Sequence, residues 1–373
     1  KRNFMKRLFG VLATASMLVA CGGSQPAKEL GLKDVLGDKF LVGTALNVNQ
    51  SSGIDTASLA IVKKHFNAIV PENCMKCEEI HPEKDKYTFE NADKLVQFGI
   101  DNDITITGHC LIWHSQCAPW MWQDEDGKDV SAEVLKQNMK EHITTVVQRY
   151  KGKILGWDVV NEAIMENGSY RNSMFYRILG EEFIPLAFQY AHEADPNIEL
   201  YYNDYNMHEP GKRATVVKLI KDLKARGLRI DAVGMQGHVG MDHNMEEFEN
   251  SIKAYAEAGV KVMITEFDMS ALPNRRWTAN ISDIEEYRES MNPYKEALPD
   301  SVSQKWNAKM MDFMNLFIKY EDVITRVTAW GVTDRDSWKN DFPIKGRTDY
   351  PLFFDRQGEP KQFVKDLISG AQK

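Results

Sequence analysis

Ile154-Leu-Gly-Trp-Asp-Val-Val-Asn-Glu162 reads as a short buried strand that ends in two polar residues, Asn161 and Glu162. Ile154, Leu155, Val159 and Val160 supply an apolar, partly β-branched run, the pattern of a strand covered on both faces. Such a strand has little reason to end in a carboxylate unless its end faces a wet pocket. In a parallel α/β fold that pocket lies at the carboxyl ends of the strands. Lys261-Val-Met-Ile-Thr-Glu266-Phe-Asp268 has the same grammar, so two strands each deliver one Glu to the same rim.

Six further apolar runs complete the set. The candidate strands are 40–47, 66–73, 105–112, 154–162, 199–204, 232–238, 260–268 and 326–334. Helical periodicity fills the segments between them. Leu135, Met139, His142, Ile143, Val146, Val147 and Tyr150 fall on one face. Val216, Val217, Leu219, Ile220 and Leu223 fall on another, with Gly227 as a C-terminal stop. Trp306, Met310, Phe313, Met314 and Phe317 form a third stripe, and Pro360 is expected to open a last helix through Phe363, Val364 and Leu367. Stripes of Met and aromatic residues at this spacing are core. Eight strands alternating with helices predict an α/β protein of one domain, a (β/α)8 TIM barrel over residues 34–373. An open doubly wound sheet is the second choice, and no Gly-rich phosphate loop follows the first strand to favour it. Residues 270–304 and 335–359 are expected to be enlarged loops on the same face as the two Glu residues.

Composition sets the broad class. Of 373 residues, 43% are hydrophobic and 27% charged, as in soluble globular proteins. The formal net charge of −8 argues against a nucleic-acid partner. The N-terminus reads differently. Lys1, Arg2, Lys6 and Arg7 precede an apolar stretch from Leu8 to Ala20, and Leu18-Val-Ala-Cys21 follows at once. This predicts a signal peptide over 1–20, with Met5 a candidate initiator. Leu-Val-Ala-Cys resembles a bacterial lipobox, which makes Cys21 a lipidation site and predicts export with a lipid anchor in a bacterial membrane. The alternative is ordinary cleavage near Ala20. Loss of residues 1–20 would take the formal charge to −12. Residues 21–33 are expected to be the lipidated Cys and a flexible tether.

Four Cys remain: Cys74, Cys77, Cys110 and Cys117. Export makes disulfides chemically possible. The Cys-x-x-Cys at 74–77 has no second ligand pair to support zinc, and free buried thiols are the plain alternative.

The strand ends carry the chemistry. The second ends Pro71-Glu-Asn73, with Lys76 beyond; the third carries Gly108-His109 and runs on to Trp113-His114-Ser-Gln116. The fifth ends Asn203-Asp-Tyr-Asn206, the sixth Gln236-Gly-His238, and the eighth carries Trp330-Gly-Val-Thr-Asp334 with Trp338 further on. Each alone is weak evidence, since a polar residue at a strand end is often a cap. Together they put carboxylates, amides, imidazoles and indoles on one rim. Sugar binding needs that mix: aromatic faces for ring C–H groups, amides and charges for hydroxyls. A pair of Glu residues is also what glycoside hydrolysis requires.

The order and wording of these motifs resemble glycoside hydrolase family 10, the retaining endo-β-1,4-xylanases. Residues 108–116, 157–162, 203–206, 236–238, 265–268 and 330–334 match in sequence order, and the resemblance spans about 35–368. It implies a (β/α)8 barrel, with Glu162 as general acid/base and Glu266 as nucleophile. It implies that His238 bonds the nucleophile, that Asp268 orients His238, and that Asn161 holds the sugar 2-hydroxyl. Glu72, Asn73 and Lys76 correspond to residues binding the sugar two places before the cleaved bond. His109, Trp113, Gln236, Trp330 and Trp338 correspond to the walls around the reacting xylose. The two indoles would crowd a hydroxymethyl group and favour xylose over glucose. His114, Gln116, Asn203, Tyr205 and Asn206 are expected to shape the site or its leaving-group side. No metal or organic cofactor is implied. The expected partners are xylan and xylo-oligosaccharides, with a membrane only through the lipid, and the chain is expected to be a monomer.

Two residues depart from the family pattern. Cys77 stands where Trp is usual and Cys110 where a small hydroxyl residue is usual, which bears on fine substrate preference. A bond from Cys74 or Cys77 to Cys110 or Cys117 is geometrically conceivable. Three other readings compete: a β-glucanase or cellulase on the same barrel, a non-catalytic xylan-binding lipoprotein, and a two-lobed solute-binding lipoprotein.

Overall fold

Apolar, β-branched runs separated by amphipathic helices leave a parallel sheet one way to bury both faces: helices outside, and closure on itself. The structure, a computed structural model, describes residues 29–273, 281 and 284–371. The expected signal peptide, Cys21 and the tether as far as Lys28 lie outside the described residues, as do 274–280 and 282–283 of the first long loop.

Eight parallel strands form the barrel: β1 (Leu41–Leu46), β2 (Ala68–Pro71), β3 (Thr105–Trp113), β4 (Gly156–Asn161), β5 (Glu199–Asp204), β6 (Ala232–Met235), β8 (Lys261–Ser270) and β9 (Ile324–Ala329). They run in chain order around the ring, and pairing of β6 with β8 and of β9 with β1 closes it. A three-residue strand, β7 (His238–Gly240), pairs with the end of β8.

The sixth run was expected as one strand to His238, but it is two pieces. Gly237, at φ +80, breaks it, and β7 restarts with His238 opposite Asp268. The fourth ends at Asn161 because Glu162 takes φ +57, outside the strand region. The last strand lies earlier than expected. Trp330 follows its end directly, and Asp334 begins a 3₁₀ turn.

The helical stripes pack as their spacing requires. The helix Ala132–Arg149 buries Leu135, Met139, His142, Ile143, Val146 and Val147, and Ser131 caps it by accepting from Val134 N–H at 3.3 Å. Pro210–Ala225 buries Val216, Leu219, Ile220 and Leu223, and Asp300–Lys319 buries Trp306, Met310, Phe313, Met314 and Phe317. The last helix starts at Gln362, two residues after Pro360. The first long loop ends at Pro299, where the Asp300 helix begins, and the second contains two 3₁₀ turns. Leu32 and Lys33, expected as tether, belong to a helix Leu32–Leu36 whose two Leu side chains are buried. Cys74, Cys77, Cys110 and Cys117 are free thiols; the sulfurs of Cys77 and Cys117 stand 4.0 Å apart.

One cross-strand pair sets the depth of the site. Gly108 on β3 and Trp157 on β4 are register partners, and the indole lies across the glycine. The next pair, His109 and Asp158, then shares the opposite face of the two strands, with Nδ1 and Oδ2 at 2.9 Å. A Cβ on Gly108 would meet the Trp157 ring at 2.2 Å. Trp157 is fully buried, so the ring cannot swing into solvent. Gly108→Ala should destabilise the fold by about 1–3 kcal/mol, read as a lower midpoint in urea with an unchanged slope.

Candidate active site

Strand ends converge on one cavity of about 230 Å3, lined by Glu72, Asn73, Lys76, His109, Trp113, Gln116, Asn161, Glu162, Gln236, His238, Glu266, Ile281, Trp330 and Trp338. Of the catalytic and sugar-binding residues expected from the resemblance, Asp268 alone is absent from that wall, and it stands behind His238. A larger hollow of about 530 Å3, lined among others by Leu30, Ile61, Phe354 and Pro360, shares no residue with it.

Both Glu side chains are buried, at 3% and 5% exposure, yet their surroundings differ. Glu162 accepts from Trp113 Nε1 at 2.9 Å and from Gln236 Nε2 at 3.0 Å. Burial lifts its pKa to about 7; the charges of Asp204 and Glu266 add to the rise, and the two hydrogen bonds oppose it. Glu266 is also penalised by burial, but that cost is outweighed. It accepts from Asn203 Nδ2 at 2.8 Å and faces His238 Nε2 at 3.2 Å, and with His109 these hold its carboxyl below the usual range. Below about pH 7 one carboxyl is thus mostly protonated while the other is ionised.

A line of amides joins the two carboxylates. Asn203 Nδ2 donates to Glu266 and to Asn161 Oδ1, at 2.8 and 3.0 Å. Gln236 Nε2 donates to Glu162 and to Asn161 Oδ1, at 3.0 and 3.3 Å. Thr265 Oγ1 donates to Asn203 Oδ1 at 2.6 Å, which fixes the orientation of that amide. The Asn161 oxygen is thus engaged twice, which orients its amide with Nδ2 as the remaining donor end.

His238 stands between two carboxylates, with Nδ1 2.9 Å from Asp268 Oδ2. Burial works against its charge, but Asp268 and the bond to Glu266 raise its pKa above the ordinary histidine value. Asp268 also accepts from Trp338 Nε1 at 2.8 Å, and Trp338 stacks on Phe342 at 4.6 Å. The same carboxylate therefore orients the imidazole and one wall of the cavity. Trp330 meets His109 edge-on at 5.3 Å. At the other end, Lys76 Nζ donates to Asn73 and Gln116, each at 2.8 Å, and lies 4.9 Å from the Trp113 ring centre. Burial raises the pKa of Glu72 there, with Lys76 opposing.

Of the five residues assigned loosely from sequence, Gln116 lines the cavity and Asn203 bonds Glu266 directly. Tyr205 accepts from Arg171, and Asn206 donates to Glu166 at 3.2 Å. His114 lies outside the wall, its ring against Trp113 at 6.1 Å. Sequence reading overlooked Asp158, which holds His109, and Arg171, which holds the Glu162 backbone. A buried acid in the apolar run 157–160 was a usable signal for Asp158. Ile281, from the long loop, had none.

The sequence model of glycosyl hydrolase family 10 matches residues 31–369. Endo-1,4-beta-xylanase A of Xylanibacter ruminicola is 50% identical over 354 residues, 94% of this chain and 95% of that protein. The endo-1,4-beta-xylanase of Geobacillus stearothermophilus is 37% identical over 333 residues, 88% of this chain and 95% of its own. Among solved structures, a GH10 endoxylanase retrieved from sugarcane soil metagenome superposes with TM-score 0.88 at 43% identity, covering 91% of this chain and 99% of that one. A mutant of the intracellular xylanase from Thermoanaerobacterium saccharolyticum, in complex with xylotriose, gives TM-score 0.79 at 32% identity, covering 92% and 99%. With nearly the whole described chain matched and the strand-end residues gathered in one cavity, the chain belongs to glycosyl hydrolase family 10.

Proposed function

We propose that this chain is a retaining endo-1,4-β-xylanase working by double displacement. The observation that carries the reading is the opposite tuning of two buried carboxyls linked through Gln236, Asn161 and Asn203. Glu266 attacks the anomeric carbon while Glu162 protonates the departing glycosidic oxygen, giving a glycosyl ester. Esterification removes the Glu266 charge, so the pKa of Glu162 falls and it accepts a proton from water, which opens the ester with net retention. Asn161 Nδ2 holds the 2-hydroxyl, a contact that strengthens as the oxocarbenium ion forms. Glu72, Asn73 and Lys76 bind the neighbouring sugar, and Trp330 and Trp338 exclude a hydroxymethyl group. We also propose export and lipid attachment at Cys21, supported by the basic residues, apolar run and Leu-Val-Ala-Cys of the N-terminus. Intact-mass analysis of membrane extracts checks that attachment.

Purified residues 22–373 should convert glucuronoarabinoxylan to a ladder of short xylo-oligosaccharides and leave carboxymethyl-cellulose nearly untouched. Equal attack on both would support a glucanase instead, and retention on xylan without cleavage a binding protein. The first product seen by proton NMR should be the β-anomer. Glu266→Ala should lower kcat by about 10⁴-fold or more, and azide should restore turnover with an α-glycosyl azide as product.

The pH profile of kcat/KM should be bell-shaped. Glu162 must be protonated, so activity is lost as pH rises through about 7. Glu266 must be ionised, so the acid limb lies below the usual glutamate range. The limbs belong to the pair as a unit. Trp113→Phe removes a hydrogen bond that favours charged Glu162, and should move the alkaline limb upward.

A further inference from the structure

The chain after Glu162 folds back on it. Glu162 sits at φ +57, in the left-handed region that residues with a Cβ seldom adopt. Its N–H donates to Asn203 O at 2.9 Å, which ties it to the end of β5. The next residues form a small hairpin. Ile164 and Tyr170 make an antiparallel bridge, Met165 N–H donates to Ser169 O at 2.8 Å, and Gly168 takes φ +84. Arg171 N–H closes the hairpin on Ala163 O at 2.8 Å. The turn returns the Arg171 side chain to the residue where it began. Nε donates to the Glu162 carbonyl oxygen at 2.9 Å, and Nη2 to Tyr205 Oη at 2.7 Å.

The guanidinium is itself anchored. The Tyr205 carbonyl accepts from Lys212 Nζ at 2.8 Å, and Lys212 pairs with Asp204 at 2.9 Å with both side chains fully buried. The planar fork of Arg171 thus spans from the Glu162 backbone to the hydroxyl of Tyr205, a residue whose own carbonyl is held by the buried Lys212. The N–H and C=O of Glu162 are both held, one by a strand and one by a guanidinium.

We propose that Arg171 is a positioning residue for the acid/base, fixing the left-handed backbone that aims the Glu162 carboxyl at the glycosidic oxygen. The inference rests on the role given to Glu162 above. Without the guanidinium, the carbonyl of Glu162 loses its donor and the backbone can relax to negative φ. That rotation would carry the carboxyl off Trp113 and Gln236. A general acid displaced by about 1 Å loses on the order of 10²-fold in rate.

Leaving-group dependence separates this from a merely structural role. Phenolate needs a proton to depart, whereas 2,4-dinitrophenolate leaves without one. The assay is kcat/KM on phenyl and 2,4-dinitrophenyl β-xylobiosides for wild type, Glu162→Ala, Arg171→Met and Arg171→Lys. Arg171→Met should lose about 10²-fold on the phenyl substrate and roughly threefold or less on the other. Arg171→Lys, which keeps the charge and one donor, should show a smaller loss of the same selectivity, and carries the test alone if Arg171→Met does not fold. Equal losses on the two substrates, or none on the phenyl one, would overturn the proposal. Glu162→Ala without selectivity would instead overturn the acid/base reading. Selectivity in Glu162→Ala but not in the Arg171 variants would leave that reading standing and remove only the positioning role.

Discussion

Two carboxyl groups share one small buried cavity and must hold opposite protonation states. Burial alone would neutralise both. The structure avoids this by asymmetry in what surrounds each group. Glu266 faces His238, which Asp268 keeps inclined to carry charge, and it accepts a second bond from Asn203. Glu162 meets only neutral donors, Trp113 and Gln236, and the buried Asp204 charge pushes it further up. The same Asp268 bonds the Trp338 indole, so the charge arrangement and the shape of the cavity share one residue. A change in either disturbs both.

The backbone is bent to serve this arrangement. Gln116, Glu162 and Asn206, each just beyond a strand end, adopt positive φ at 46, 57 and 47 degrees. Such conformations cost about 1–3 kcal/mol each and persist where surrounding contacts over-determine them. At Glu162 those contacts are Asn203 and Arg171; at Gln116 they are Lys76 and Glu78. Gly237 does the same for the sixth run without the cost, because it lacks a Cβ, and the break sets His238 across from Asp268.

Much of this was legible in the residues. The polar ends of the runs named nearly every side chain on the cavity wall, because in a parallel barrel strand ends and pocket coincide. The misses share a cause. Arg171 lies in a hairpin with no strand periodicity, and Ile281 in a long polar segment without periodicity of either kind. His142 reads as one more apolar-face position, yet its Nδ1 stands 3.1 Å from that of His81, on a residue 61 positions away. The paired thiols of Cys77 and Cys117 are likewise neighbours only in space.

The sequence by itself determined the strand count, the α/β alternation that favours a barrel, and the carboxylate pair, since each follows from local patterning: continuous apolar runs for strands buried on both faces, period-3.6 burial for helices, and polar residues at run ends. Only the tertiary structure decided which Glu is neutral and which ionised. It also decided where the sixth run breaks and which amides link the acids. Those outcomes depend on burial and on hydrogen bonds between residues 42 to 75 positions apart, such as Asn203 and Gln236 to Asn161. Local sequence carries no record of such distances, because they are set by closure of the ring.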